Sequence, residues 1–191
     1  MEIKPGQAKS FIGKPDGKVQ VFLLFGNDEG LIREWGNALT RQIVEQPDDP
    51  FRFVELDGPA LSSDASPLYD EASAMAFGGG QRVVRIRRLG GRIGDSVIDF
   101  LGAPVGDARV IMEAPAANKM SAIVKAAIKS TVAAAVPCYH DESRALRDVV
   151  AEALRSAGLE ADQATADFIA THAGADRALT RREIDKLALY M

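Results

Sequence analysis

The chain has 191 residues, 47% hydrophobic and 26% charged, with a net charge of −4. That length suits one domain plus a small second one, and the acidic balance gives no global attraction to nucleic acid. One cysteine, Cys138, excludes an internal disulfide and a cysteine metal cluster, and no stretch reaches the ~18 apolar residues of a membrane span. The polar N-terminus has no apolar core of signal-peptide length, so the cytosol is the expected compartment.

Residues 1–18 hold Pro5, Gly6, Gly13, Pro15 and Gly17 and leave room for at most one short helix, near residues 7–12. The first strong signal is VQVFLLFGNDEGLIREW, residues 19–35. Val19, Val21, Phe22, Leu23, Leu24 and Phe25 form a short β-branched and aromatic run stopped by Gly26, the pattern of a strand buried on both faces. Asn27, Asp28 and Glu29 suit a helix start. Leu31, Ile32, Trp35, Leu39 and Ile43 then recur at helical spacing to about residue 45.

Strand, glycine turn and helix hold a nucleotide phosphate in many α/β proteins. The phosphate loop requires G-x-x-x-x-G-K-[ST], so that backbone N–H groups cradle the phosphates, a lysine adds charge and a hydroxyl binds magnesium. In GNDEGLIR, residues 26–33, the second glycine comes one residue early. Leu31 and Ile32 stand at the lysine and hydroxyl positions, and Asp28 and Glu29 sit where phosphate would approach. Like charges at ~4 Å repel by ~1 kcal/mol even in bulk water. Arg33 is misplaced to compensate. The expectation is a scaffold turn with no bound triphosphate.

Residues 46–50 read as a loop and 51–56 as a second strand, followed by a serine-rich link to residue 66. Pro67 opens a helix, with Leu68, Ala72 and Met75 on one face, and Gly78, Gly79 and Gly80 end it. Residues 82–88 are a third strand. A short helix over 95–101 follows, with Asp95 as its cap. Residues 109–113 are a fourth strand, 120–129 a helix capped by Asn118 with Ile123, Ala127 and Ile128 inward, and 132–138 a fifth strand. Five strands alternating with helices predict an α/β domain, residues 1–140, with a mainly parallel sheet. Residues 141–191 are helical only: a stripe from Leu146 to Ala157 stopped by Gly158, a second helix near 162–172, and a third from about Thr180. The third has no stop signal, so the sequence reads as a piece of a longer protein.

This plan, an α/β domain followed by a three-helix lid, resembles the AAA+ ATPases. VFLLFGNDEGLIRE, PFRFVELDG, AMAFGGGQRVVRI, VPCYHDESRALRDVV and GADRALTRREIDKLALY resemble the delta subunit of the bacterial DNA polymerase III clamp loader. The resemblance covers nearly the whole chain and stops before that family's helical collar. It implies an AAA+-like five-stranded sheet and lid, no catalysis and no cofactor. It also implies a place in the polymerase III holoenzyme, with the beta sliding clamp and the tau/gamma and delta prime subunits as partners and DNA touched weakly or indirectly. In the family, apolar residues at the end of the helix before the third strand grip the clamp; by motif these are Met75, Ala76 and Phe77. Relatives often carry Leu-Phe where this chain has Ala76-Phe77, which leaves open whether Met75 replaces the missing leucine.

Each of these positions also has a plainer reading. Met75 shares the Leu68–Ala72 stripe and reads as core; Phe77 is off that stripe. Arg82, Arg85, Arg87, Arg88 and Arg92 form a basic run that suits DNA or a neighbouring subunit, or a strand with solvated arginine ends. Glu113 falls at a strand end where ATPases place a metal-orienting carboxylate, but Met112 replaces the usual aspartate before it, so it reads as structural. Cys138, His140 and His172 have no metal or triad spacing. Arg181, Arg182 and Lys186 read as a solvated lid face. Two functions remain open: a non-catalytic clamp-binding subunit, or an AAA+ ATPase or switch with an altered loop.

Overall fold

The computed structural model describes residues 1–44, 46–47, 49–75, 79–90, 93–139, 144–159, 161–173 and 177–190. The chain divides into two compact units, Met1–Cys138 and Tyr139–Met191. In the first, β1 (Val21–Gly26), β2 (Phe53–Asp57), β3 (Val83–Arg87), β4 (Arg109–Pro115) and β5 (Ala133–Pro137) pair in parallel in the order β2-β3-β4-β1-β5. All six residues of β1 are buried, as an apolar run with no polar alternation requires of a central strand. Val21 pairs with Val110 on one side and Ala133 on the other.

Six helices of this unit are described: α1 (Pro5–Gly13), α2 (Glu29–Ile43), α3 (Gly58–Leu61), α4 (Ser66–Ser73), α5 (Asp95–Gly102) and α6 (Ala122–Lys129). On one side of the sheet, Leu31, Ile32 and Leu39 of α2 pack with Phe22, Leu24 and Ile111. Four details depart from the sequence reading. The serine-rich link contains α3, whose four residues are too few to show a period. Ser121, rather than Asn118, sits at the cap of α6, and Asn118 instead accepts from the Met120 N–H at 2.9 Å in a preceding turn. Gly94 caps α5, with Asp95 in its first turn. Along α6, Val124 is buried and Ile128 only half-buried.

The second unit holds α7 (Arg144–Ser156), α8 (Gln163–Ala173) and α9 (Arg177–Tyr190). Val150, Ala153, Leu154 and Ile184 form its core, and Gly158 turns the chain after α7 at φ +72°. No helix among the described residues is long and apolar enough to cross a membrane.

Candidate functional site

The turn after β1 is closed by the protein's own groups. Gly26 adopts φ +144°, and a Cβ there would lie 1.9 Å from the Cys138 carbonyl oxygen. The Cys138 N–H donates to the Phe25 carbonyl at 2.6 Å, and the Asp28 N–H donates back to the Cys138 carbonyl at 3.1 Å. The buried Asp28 carboxylate caps α2 by accepting from the Leu31 N–H at 2.9 Å, while the Ile32 N–H donates to the Asp28 carbonyl at 3.0 Å. A phosphate cradle is made of such N–H groups at a helix start. Here those of Asp28, Leu31 and Ile32 are occupied, and one occupant is itself an anion. A groove of about 320 Å³ opens beyond the carboxyl ends of β3 and β4, lined by Leu89, Ile93, Ile98, Pro115 and Ala117 among others. Ligands of open α/β sheets bind at that end, but no charged side chain is among the described lining.

At the opposite end of the strands lies the tip of α4. Leu68 and Ala72 are fully buried, as the stripe predicts. The helix stops at Ser73, Ala74 turns to extended angles (ψ 132°), and Met75 leaves the stripe with 92% of its surface exposed. Met75 is therefore not a core residue. Ala76 and Phe77 lie outside the described residues.

The tip is braced from several directions. Arg82, largely buried, donates from Nη1 to the Phe51 carbonyl at 2.6 Å and from Nε to the Glu71 carbonyl at 3.3 Å, and its Nη2 pairs with the Glu71 carboxylate. Gly106, at φ +68°, passes so close that a Cβ would lie 2.1 Å from the Ala72 carbonyl oxygen. Gln81 Nε2 donates to the Asp107 carbonyl at 2.6 Å. Sequence reasoning missed this clip, because its partners come from α4 and the turns before β2 and β4.

Two arginines of the run, Arg82 and Arg85, are spent inside the fold. Buried Arg85 donates from Nε to Glu113 Oε1 at 2.7 Å, from Nη1 to Asn37 Oδ1 at 2.6 Å and from Nη2 to the Arg33 carbonyl at 3.3 Å. Arg87 lies 3.6 Å from the second Glu113 oxygen and 3.3 Å from Glu55. Arg88 pairs with Asp57, whose hydrogen bond and charge raise the guanidinium pKa above its ordinary value. Arg82 and Arg85, which the sequence leaves open to a DNA or subunit contact, are each paired with an acid, and among the described arginines of the run Arg88 alone keeps most of its side chain (71%) in solvent. Arg92 lies outside the described residues. One signal was available: Glu55-x-Asp57 and Arg85-x-Arg87 alternate at period two on strands that pair in register.

Glu113 is buried in β4 with both oxygens facing arginines, a structural role. Cys138 is buried, and His172 stacks on Phe168 with Nδ1 2.9 Å from the Phe168 carbonyl oxygen. His140 lies outside the described residues. Among the described residues no cluster of His, Cys, Asp or Glu is placed to hold a metal ion. Lys186 pairs with Glu183 at 2.6 Å on an exposed helix face.

No protein-family model matches the chain, and no curated protein sequence matches it. Solved structures do. The Bacillus subtilis DNA clamp loader delta protein (YqeN) superposes with a TM-score of 0.69 at 16% identity, over 98% of this chain and 57% of that one. The fold is AAA+-like. The Thermotoga maritima RuvB Holliday junction branch migration motor superposes with a TM-score of 0.56 at 10% identity, over 94% of this chain and 57% of that one. At these identities the AAA+-like fold is what is shared, and this chain spans little more than half the length of either protein.

Proposed function

We propose that this chain is the AAA+-like portion of a clamp-loader delta subunit. It binds the beta sliding clamp and helps to open it for loading onto primed DNA, beside tau/gamma and delta prime subunits, and performs no nucleotide chemistry itself. Residues 1–140 are the clamp-binding domain in this reading, and 141–191 the lid. The observation that carries it is Met75, a large apolar side chain 92% exposed two residues beyond the end of a braced helix. Isolated exposed hydrophobics are ordinary, but this one falls in the segment that the family uses for its grip. The superposition with a clamp-loader delta protein supports the same reading. Among the described arginines of the run, Arg88 is the best exposed for a weak contact with DNA or a neighbouring subunit.

Fully burying a methionine is worth ~1.5–3 kcal/mol, and a few such anchors dominate an interface. Met75→Ala is therefore expected to weaken binding to the cognate sliding clamp about tenfold. Met75→Ala with Phe77→Ala should weaken it further, and the single variant's melting temperature should be unchanged. Wild-type affinity in a folded double variant would remove this site from the reading.

The closed turn supports a chain that binds no ATP. Titration calorimetry with Mg-ATP is expected to give no saturable heat. A dissociation constant in the low micromolar range would return the chain to the nucleotide-dependent AAA+ ATPases.

A further inference from the structure

The turn that Arg82 ties to the last turn of α4 holds a second exposed large apolar side chain. Phe51, in the turn that enters β2, is 60% exposed. Its backbone is pinned on both sides. The Phe51 N–H donates to Asp49 Oδ1 at 2.8 Å, and its carbonyl accepts from Arg82 Nη1 at 2.6 Å. The next residue is fixed as well: the Arg52 N–H donates to the Asp49 carbonyl at 2.9 Å, and the Arg52 carbonyl accepts from the Val83 N–H at 2.8 Å. The Arg82 guanidinium that holds Phe51 also holds the carbonyl and carboxylate of Glu71, in the last turn of α4, two residues before the helix ends. One buried side chain thus ties the Phe51 turn to the last turn of α4, four residues before Met75.

We infer that Phe51 is a second anchor of the surface that carries Met75, with Arg82 as the positioning residue that keeps the two in register; this rests on the clamp-binding reading above. A single exposed phenylalanine needs no explanation. Phe51 has its backbone held by the same buried cation that holds the last turn of α4, four residues before Met75, and such preorganisation lowers the ordering cost of binding. Charged residues stand next to Phe51 in the same turn, where Arg52 pairs with Asp49 at 3.4 Å, as a polar rim requires of an apolar interface centre. The matching feature of the partner is an apolar depression with a charged margin on the clamp, wide enough to take two side chains from separate segments.

The test measures binding of the whole chain to the immobilised cognate sliding clamp, with thermal melts alongside. Phe51→Ala is expected to weaken binding about tenfold, about 1.4 kcal/mol, with an unchanged melting temperature. Arg82→Lys keeps the charge but loses the fork of donors, and is expected to weaken binding with Phe51 and Met75 both intact. If Phe51→Ala binds like wild type while Met75→Ala is weakened, the second anchor is overturned and the clamp reading stands. If neither substitution weakens binding, both fall. A melting temperature lowered by several degrees in Phe51→Ala would make the ring part of the fold and overturn the anchor.

Discussion

Glu113→Ala is expected to destabilise the first unit by about 3–5 kcal/mol, because removing one member of a buried ion pair strands the other in low dielectric. Arg85 is buried beneath α2, and Glu113 is the carboxylate that answers its charge. The neutral acceptors that remain, Asn37 Oδ1 and the Arg33 carbonyl, satisfy hydrogen bonds but supply no charge. Glu113→Gln keeps the shape and one acceptor and should cost less. Replacing the pair together, Glu113→Leu with Arg85→Met, should recover the share that belongs to Arg85, since well-packed apolar groups often match a buried pair, and leave the share that belongs to Arg87, which also faces Glu113. Urea unfolding of the three variants decides it. A loss below about 1 kcal/mol in Glu113→Ala would mean that the charge of Arg85 is answered elsewhere. Domains are stable by only ~5–15 kcal/mol, so the full loss would leave the unit marginal.

Gly26→Ala is expected to cost about 3 kcal/mol or more, from a strained backbone and an overpacked contact together. At φ +144° the position favours glycine, and the added Cβ would meet a backbone oxygen, that of Cys138, at 1.9 Å. A backbone carbonyl at the end of β5 cannot swing aside as a flexible side chain would. Gly13, at the end of α1, has no atom within 4 Å of where a Cβ would stand, so Gly13→Ala is the control and should be near neutral. Equal melting temperatures for the two variants would show that the β1 turn relaxes freely.

The strand–turn–helix at β1 is legible in the sequence because burial on both faces writes a continuous apolar run, and because Asp28 is both a poor phosphate neighbour and a good cap. The five strands and their parallel pairing follow from the same kind of signal, whereas their order across the sheet does not. The tip of α4 is less legible. Leu68, Ala72 and Met75 keep helical spacing, yet the helix ends at Ser73 with no breaker there, and the glycines that suggest its end come later. The partners of the arginine run are illegible for a different reason. Charge along one strand is local information, whereas the acids that answer it, Glu71, Glu113, Glu55 and Asp57, come from α4, β4 and β2. Phe51 stood in a segment read as strand, and only the position of Arg82 beneath its carbonyl gives it meaning.

The placement of β1 between β4 and β5 bears on how the chain is made. The most apolar strand emerges early from the ribosome, but both of its partners are among the last strands of the unit. Ile3 waits on β5 as well, its N–H donating to Ala135 at 2.9 Å. Synthesis is slow against collapse, so a nascent chain that has not reached Arg109 carries Phe22, Leu23, Leu24 and Phe25 with both strand edges open, a form prone to stick to other chains. Pairings so distant in sequence also place the unit among the slower folders. Its yield in a cell therefore depends on what shields that strand during translation, and a fragment cut before β4 is a poor choice for expression however well its helices are preserved.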